Sequence, residues 1–258
     1  MSKRVSFVLT FDGLVRQITR MLVLGVETSG LEGSVAIVRD EICLGEKRLN
    51  QIGRRHAQAL VLEIGELLTS HSLTPRDVDL VAVSRGPGSF TGLRVGMVCA
   101  KTFAYATGCQ FIAVDTFAAI AENAPAELKR VFVIEDAQRD DLFVGEYARN
   151  PHQEWEQVSP IRIVSADDFL QSRSDLAVVM GPGVGKLESE TPPDHWLVDP
   201  NIRQPRASII ASLGRLQKQS RVGEPLAEEN DFWRASPFYL RMSAAEEKHA
   251  TTLQAEDP

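Results

Sequence analysis

Apolar and polar positions along the chain follow two periods, one typical of strands and the other typical of helices. Short β-branched, apolar runs at residues 21–27, 33–39 and 41–49 predict three successive strands. Residues 56–70 (HAQALVLEIGELLTS) instead place apolar side chains every three to four positions, which predicts the first long helix. The apolar arc of this helix is wide for an element with only one buried side, so we expect it to make a second contact.

A strand–turn–helix unit surrounds the sequence RGPGSFTGLRVG at residues 85–96. An apolar run at 78–83 predicts a strand before it, and GPG at 86–88 predicts a turn that neither strand nor helix tolerates. The hydroxyls of Ser89 and Thr91 are placed to cap the unpaired N–H groups of the helix that follows. One helical stripe then falls on Leu93, Met97, Lys101 and Tyr105.

Small residues recur at every fourth position of this second helix, at Gly92, Gly96, Ala100, Ala104 and Gly108. A glycine inside a helix costs roughly 1 kcal/mol relative to alanine, so close approach by another backbone should recover that loss. The approaching backbone belongs either to the chain's own sheet and neighbouring helix or to another subunit. The sequence leaves both interpretations open.

The glycine turn at 86–88 has the features of an anion site, because free N–H groups and the helix dipole converge at a helix start. However, no lysine follows the turn, and neither G-x-x-x-x-G-K-[ST] nor G-x-G-x-x-G is present there. As a nucleotide motif, the turn alone is nonspecific. A second glycine cluster at 181–186 lacks the first pattern and contains Pro182, which favours an ordinary turn.

The second half of the sequence predicts another set of strands and helices. Strands are expected at 110–114, 127–134, 161–164 and 176–180, and helices at 116–122, 165–170 and 204–218. Residues 151–160 are predicted to be a polar connection. Asp136, Asp140 and Asp141 favour a solvated hairpin tip over a metal site, since no further oxygen ligands follow at loop spacing. The order of elements predicts two α/β halves.

The composition excludes several functional classes. The net charge of −7 argues against a stand-alone nucleic-acid binder, and the chain lacks the apolar run of about 18 residues that a membrane span needs. The histidines form no H-x-x-x-H or H-E-x-x-H pair, so a histidine–zinc protease site is unsupported. Cys43, Cys99 and Cys109 stand singly in apolar surroundings, as expected for reduced thiols in a cytoplasmic protein.

Shifts in composition divide the chain. Residues 1–20 are basic and mix polar residues into an apolar run, so we predict an extension there, with the domain and the translation start at Met21. The first subdomain is expected at 21–118, the second at 119–224, and a C-terminal segment that packs back on the first half at 225–241. Residues 242–258 are charged and low in apolar residues, which predicts disorder.

The segment RGPGSFTGLRVG closely resembles the signature of the bacterial TsaB (YeaZ) proteins. QIGRRHAQALVLEIGELL at 51–68 is similar to that family's stretch around G-H-S-x-x-L-L-P, with His56 at the histidine position. DAQRDDLFVG at 136–145 is similar to its D-A-R-x-x-E-V-Y hairpin, and SPFYLR at 236–241 matches its C-terminal P-x-Y-L-R. The resemblance covers residues 21–241, with RGPGSFTGLRVG highly specific and the second half looser.

This resemblance implies a two-domain, actin-like ATPase (ribonuclease H-like) α/β fold, each half a mixed sheet with flanking helices. In that fold, an acidic residue at the first strand end holds metal-bound water, and the small residues after it meet phosphate. TsaB proteins usually have Asp-Thr-Ser there, so the Glu-Thr-Ser at 27–29 is a departure with a longer carboxylate. Either these hydroxyls bond only the turn backbone, or a vestigial nucleotide or phosphate loop exists. Its residues would be Glu27, Thr28, Ser29, Gly86, Gly88 and Ser89.

The resemblance also implies a function in making N6-threonylcarbamoyladenosine (t6A37) in tRNA. In that system a separate synthase makes threonylcarbamoyl-adenylate, and the homologue TsaD carries the metal and transfers the group. TsaB is the non-catalytic subunit that binds TsaD in a heterodimer, on which the ATPase TsaE docks, and it forms a homodimer when alone. By this resemblance, the protein holds no metal or cofactor on its own. It is expected to bind ATP only within the assembled complex and to contact tRNA only through that complex.

Two other functions compete with this interpretation. A nucleotide-hydrolysing or kinase-like enzyme of the same superfold would need phosphate loops in both halves, and the second is not evident. A glycoprotease is less favoured, because the histidine pair is missing. The absence of an activated nucleophile and of a basic groove favours the partner-binding role. We expect the two helices to pack side by side and to contact the partner through Ala57, Leu60, Val61, Ile64, Leu68, Arg94, Met97, Val98 and Lys101.

Overall fold

The computed structural model describes residues 6–7, 17–18, 20–30, 32–49, 56–172, 178–187, 199–220 and 233–241. The predicted disorder of residues 242–258 lies outside these ranges, as does most of the predicted N-terminal extension. Within the described ranges, the structure contains no helix whose length and apolar character would let it cross a membrane.

The strands and helices follow the predicted order closely. The strands are β1 (Ser6–Phe7), β2 (Gln17–Ile18), β3 (Leu22–Glu27), β4 (Gly33–Arg39), β5 (Ile42–Leu49), β6 (Leu80–Ser84), β7 (Gln110–Val114), β8 (Arg130–Gln138), β9 (Asp141–Arg149), β10 (Trp155–Ser165) and β11 (Val179–Met180). The helices are α1 (His56–Ser70), α2 (Phe90–Thr107), α3 (Thr116–Ala121), α4 (Ala166–Ser172), α5 (Val184–Leu187), α6 (Pro200–Arg203) and α7 (Ala207–Ser220). β1 and β2 pair with each other as an antiparallel ribbon.

The first sheet has five strands in the order β5-β4-β3-β6-β7. β3 pairs antiparallel with β4 and parallel with β6, and β6 pairs parallel with β7, so the sheet is mixed. Its central strands are apolar on both faces because α1 and α2 cover one face and α7 covers the other. In β3, Leu24 and Val26 belong to the core beneath α1 and α2, whereas Val23 packs on the α7 side.

The second sheet has four strands in the order β10-β9-β8-β11. It is also mixed, because β11 runs parallel to β8 while β8, β9 and β10 are antiparallel. Phe117 and Ile120 of α3 belong to the core on one face, and Phe169 of α4 belongs to the core on the other. The two mixed sheets with flanking helices confirm the predicted α/β class and form the actin-like ATPase fold that the resemblance implied.

The assignment of residues 119–224 to the second half is wrong for α7, which packs on β3, β4 and β6 of the first sheet. A Cβ on its Gly214 would lie 2.6 Å from the Cβ of Ala82, so the helix lies very close to the strands. The carboxylate of Glu46 on β5 holds the start of α7 by accepting hydrogen bonds from the N–H and the hydroxyl of Ser208, both at 3.0 Å. The chain therefore returns to the first sheet after completing the second.

The prediction of a polar connection at 151–160 is wrong in part, since β10 spans Trp155–Ser165. This strand forms an edge of the second sheet, and its pairing with β9 shifts register on both sides of Ser159. Edge strands accept polar residues, bulges and prolines such as Pro160, so the apolar alternation that marks a strand is weak here.

The described part of the predicted C-terminal segment, residues 233–241, contacts both halves. Ala235 lies in the core of the first sheet, whereas Phe238 and Leu240 pack against the core of the second. The prediction that this segment packs back on the first half is therefore incomplete.

Candidate functional site

The predicted strand–turn–helix unit around residues 85–96 is present, with β6 before the turn and α2 after it. The Oγ of Ser89 accepts a hydrogen bond from the N–H of Gly92 at 3.3 Å, which confirms the predicted helix cap. This turn therefore joins the end of β6 to the start of α2, which packs on the first sheet.

Four of the five small residues of the α2 ridge pack inside the chain, whereas Gly108, at the end of the helix, has nothing within 4 Å of the position its Cβ would take. A Cβ on Gly92 would lie 2.0 Å from the carbonyl oxygen of Thr28, and a Cβ on Gly96 would lie 2.1 Å from the hydroxyl of Thr28. Ala100 and Ala104 are buried in the core of the first sheet. These small residues let α2 approach the sheet and the turn after β3, which decides between the two interpretations.

The turn after β3 is bonded to its own acidic residue. Glu27 is fully buried, and its Oε1 accepts hydrogen bonds from the N–H and the hydroxyl of Ser29, both at 2.5 Å. The neighbouring Thr28 is also buried, with its hydroxyl close to Gly96. The Ser29 hydroxyl that a phosphate would need is therefore committed to a carboxylate, and not to the turn backbone as one interpretation expected.

The glycine turn before α2 also uses its N–H groups within the chain. The N–H of Gly86 donates to the hydroxyl of Thr116 at 3.0 Å, and the N–H of Ser89 donates to the carbonyl oxygen of Ser29 at 2.7 Å. A Cβ on Gly88 would lie 2.6 Å from that same carbonyl oxygen, so the two turns are in close contact. Two of the N–H groups that would face an anion are thus already paired.

A cleft of about 480 Å³ lies between the two sheets. The turns after β3 and β6 form one wall through residues such as Ser29 and Gly88, and the β8–β9 hairpin forms the opposite wall through Glu135 and Asp136. Residues 238–241 line the cleft from the C-terminal segment. Of the six predicted loop residues, Ser29, Gly88 and Ser89 line this cleft, whereas Glu27, Thr28 and Gly86 lie behind it in the two turns. The Thr28 hydroxyl and the Oε2 of Glu27 are buried without a hydrogen-bond partner among the described residues.

Carboxylates dominate the hairpin wall of the cleft. Burial raises the pKa of Glu135 to about 7, and the nearby charges of Asp136 and Glu27 act in the same direction. Burial also raises the pKa of Glu27. Lys186 neutralises Asp136 in an ion pair of 2.7 Å. A phosphate would meet carboxylates here, and the described part of the chain has no group of three His, Cys, Asp or Glu side chains arranged to hold a metal.

The two helices predicted to meet a partner do lie side by side on the first sheet. Four of the predicted contact residues are nevertheless wrong, because they are buried in this chain's own core: Leu60, Ile64, Leu68 and Met97. These side chains face the sheet on each helix. The apolar arc of α1 is so wide that the sequence did not show which of its apolar residues face the sheet. The side chain of Ala57 lies outside the described residues.

The remaining predicted positions are at the surface. Val61 and Val98 are 64% and 63% exposed, Arg94 is exposed, and Lys101 is half-buried. A hydrophobic side chain left this exposed on each of two adjacent helices is consistent with the predicted contact surface.

Three features of this surface were not predicted. Leu62 is 60% exposed, and Tyr105 is 71% exposed with its ring edge-on to Trp233 at 6.0 Å. Gly65 lies in the middle of α1 with nothing within 4 Å of the position its Cβ would take. The sequence already showed a glycine in the middle of a predicted helix, which is a sign that another backbone approaches there. We define the α1/α2 face as Val61, Leu62, Gly65, Arg94, Val98, Lys101 and Tyr105.

Comparisons with known proteins agree with this architecture. Residues 43–170 match the model of a family described as TsaD: tRNA N6-adenosine threonylcarbamoyltransferase. The chain is 26% identical over 235 residues to the tRNA threonylcarbamoyladenosine biosynthesis protein TsaB of Bacillus subtilis, covering 88% of this chain and 97% of the relative. It is 36% identical over 108 residues to the tRNA N6-adenosine threonylcarbamoyltransferase of Thermus thermophilus, covering 36% of this chain and 33% of that relative.

A solved structure shows the same fold. It is the crystal structure of an uncharacterized protein with similarity to peptidase YEAZ from Pseudomonas aeruginosa. The two chains superpose with a TM-score of 0.71 and 26% identity, covering 86% of this chain and all of the other. The likeness therefore extends over both sheets.

Proposed function

We propose that this chain, which belongs to the TsaB (YeaZ) family, serves t6A biosynthesis by binding a catalytic TsaD-type protein, and that it catalyses no reaction itself. Its curated relatives in this family are named for the biosynthesis of that tRNA modification, and the chain takes part in the same process. The α1/α2 face and the internal pairing within the cleft support the non-catalytic role.

The single observation that carries this proposal is the exposed α1/α2 face. Val61, Leu62 and Val98 are 60% exposed or more, although hydrophobic side chains of this size are normally buried. Gly65 lies one helical turn after Val61, and it costs roughly 1 kcal/mol in a helix without packing against anything in this chain. A partner helix that approaches α1 at Gly65 would recover that loss.

We infer that a TsaD-type protein occupies this face. The matched range 43–170 includes both α1 and α2, so proteins of that family carry counterparts of the two helices. Two related helix pairs can meet about a pseudo-twofold axis, as identical ones do in a symmetric dimer. The same geometry lets two copies of this chain form a homodimer when TsaD is absent. TsaE docks on the assembled pair in this proposal, and tRNA meets only the complex.

The chemistry of the chain supports the absence of catalysis. Burial raises the pKa of Cys99 to about 11, and burial raises the pKa of the Cys43 and Cys109 thiols as well, so these thiols are not activated nucleophiles. The Ser29 hydroxyl and the N–H groups of Gly86 and Ser89 donate to internal hydrogen bonds, whereas the buried Thr28 hydroxyl has no partner in the part of the chain that the structure describes. We therefore propose that the isolated chain, in the cytoplasm, uses no cofactor and that ATP binds only within the assembled complex.

Co-purification with a tagged TsaD protein from the same host tests the proposal. Val61→Asp and Val98→Asp each place a charge on the α1/α2 face without touching the core, and each should weaken pairing at least about tenfold. Val158→Asp is the matched control, because Val158 is 52% exposed on the edge strand β10 of the other sheet. Unchanged pairing in both helix variants, or an equal loss in the control, would contradict the proposal.

One observation favours a second function, that of a nucleotide-hydrolysing or kinase-like enzyme. The cleft of about 480 Å³ lies within the size range of small-molecule sites. Calorimetry with Mg-ATP on the isolated chain distinguishes the two functions. Submicromolar binding would favour the enzyme, whereas the partner-binding proposal predicts no measurable heat until TsaD is added.

A further inference from the structure

The C-terminal segment crosses the cleft and is attached to both of its walls; residues 235–241 are termed the strap. On the first half, the N–H of Phe238 donates to the carbonyl oxygen of Arg85 at 2.7 Å. The ring of Tyr239 stacks on Phe90 with ring centroids 4.8 Å apart. The Nε of Arg94 donates to the hydroxyl of Tyr239 at 2.9 Å, and its guanidinium lies 3.8 Å from the centroid of Phe90.

The strap's attachment to the second half combines apolar and polar contacts, with Phe238 and Leu240 partly buried against the core of that half. The guanidinium of Arg241 donates to the carbonyl oxygen of Gln138 at 3.2 Å and forms an ion pair with Asp141. The side chains of this pair are 21% and 27% exposed, so water reaches both partners. An ion pair that water still reaches contributes modestly to stability, so its loss is tolerated more easily than the loss of a fully buried contact.

Buried contacts join the two halves elsewhere. Asp115, which follows β7 of the first sheet, accepts hydrogen bonds from the N–H of Ala118 at 2.8 Å and from the hydroxyl of Tyr147 at 3.0 Å. Tyr147 belongs to β9 of the second sheet and is only 2% exposed. Breaking this contact would leave buried polar groups without partners, so it is far more persistent than the strap's ion pair.

We propose that the strap is a reversible latch across the cleft. The contact of Arg241 with Asp141 and Gln138 and the packing of Phe238 and Leu240 on the second half release and reform together, while the strap stays attached to α2 through Tyr239 and Phe90. The buried Asp115–Tyr147 contact acts as the fixed side about which the cleft opens. This proposal does not depend on the identity of the partner at the α1/α2 face.

Hydrogen exchange measured by mass spectrometry on the full chain tests the latch. Arg241→Gln and Asp141→Ala remove the contact from either side. Each should accelerate exchange about two- to fivefold in the strap, in the hairpin at 136–145 and in the turn at 86–89. Arg130→Gln is the matched control, because it removes a positive charge from the second half by breaking the Arg130–Glu146 pair without touching Asp141 or the strap.

Faster exchange in the strap and in both cleft walls of the two variants, with unchanged exchange in these regions of the control, supports the latch. Unchanged exchange in both variants overturns it, as does equal acceleration in Arg130→Gln. Acceleration throughout the strands of the first sheet in both variants would show that the contact maintains the whole fold, and would equally overturn the proposal.

Discussion

Replacement of Gly92 by alanine is the most direct test of how closely α2 approaches the turn after β3. The added Cβ would lie 2.0 Å from the carbonyl oxygen of Thr28 and 3.3 Å from the Oγ of Ser89. The first distance is far below a van der Waals contact and the obstacle is backbone, so α2 or the turn must shift. Overpacking of this kind typically costs about 1–3 kcal/mol, whereas the gain in helix propensity is about 1 kcal/mol.

We therefore expect Gly92→Ala to lower the free energy of unfolding by up to about 2 kcal/mol and the Tm by up to roughly 8 °C. Gly65→Ala is the matched control, since it brings the same gain in propensity and meets nothing within 4 Å. It should raise the Tm of the isolated chain by a few degrees. Thermal unfolding followed by circular dichroism measures both variants, and a Gly92→Ala protein at least as stable as the wild type would refute the reasoning.

Three further predictions concern the cleft and the α1/α2 face. Burial raises the pKa of Glu135 from 4.5 to about 7, so the stability it contributes is present at low pH and is lost as the pH rises through 7. Urea unfolding should show a loss on the order of 1 kcal/mol between about pH 5 and pH 8, and Glu135→Gln should remove much of it. Met97→Ala should destabilise the chain by about 2–4 kcal/mol because Met97 is 3% exposed, whereas Val98→Ala should change stability by less than about 0.5 kcal/mol in the same assay. Gly65→Ala should weaken pairing with a TsaD protein several-fold in a binding titration, and an unchanged affinity would show that the partner does not approach there.

Local patterns in the sequence identified most of the elements of the fold. Residues 56–70 and 110–114 have the predicted boundaries, and the cap at Ser89 is present, because periodicity and capping are properties of adjacent residues. The position of α7 was not predictable in this way. The sheet on which α7 packs is set by tertiary contacts, such as the close approach of Gly214 to the first sheet, and these contacts are not visible in local patterns.

The α1/α2 face also could not be predicted fully from local patterns in the sequence. The predicted stripe of α2 joined the buried Met97 to Tyr105, which is 71% exposed. The helical period likewise could not tell the buried Leu60 from the exposed Val61 and Val98. With apolar residues all around a helix, only the position of the sheet separates core from surface. Of the predicted loop residues, Ser29, Gly88 and Ser89 line the cleft. Their internal hydrogen bonds, such as those from Ser29 to Glu27, depend on distances that spacing in the sequence does not contain.

The central claim is that α1 and α2 present a surface to a TsaD protein, and a hydrogen-exchange footprint of the wild-type chain tests it most directly. Exchange would be compared with and without saturating TsaD from the same host. If TsaD binds this surface, exchange should slow in peptides from residues 59–69 and 94–105, with the second sheet unchanged. Protection confined to the second sheet, in a complex that has demonstrably formed, would contradict it.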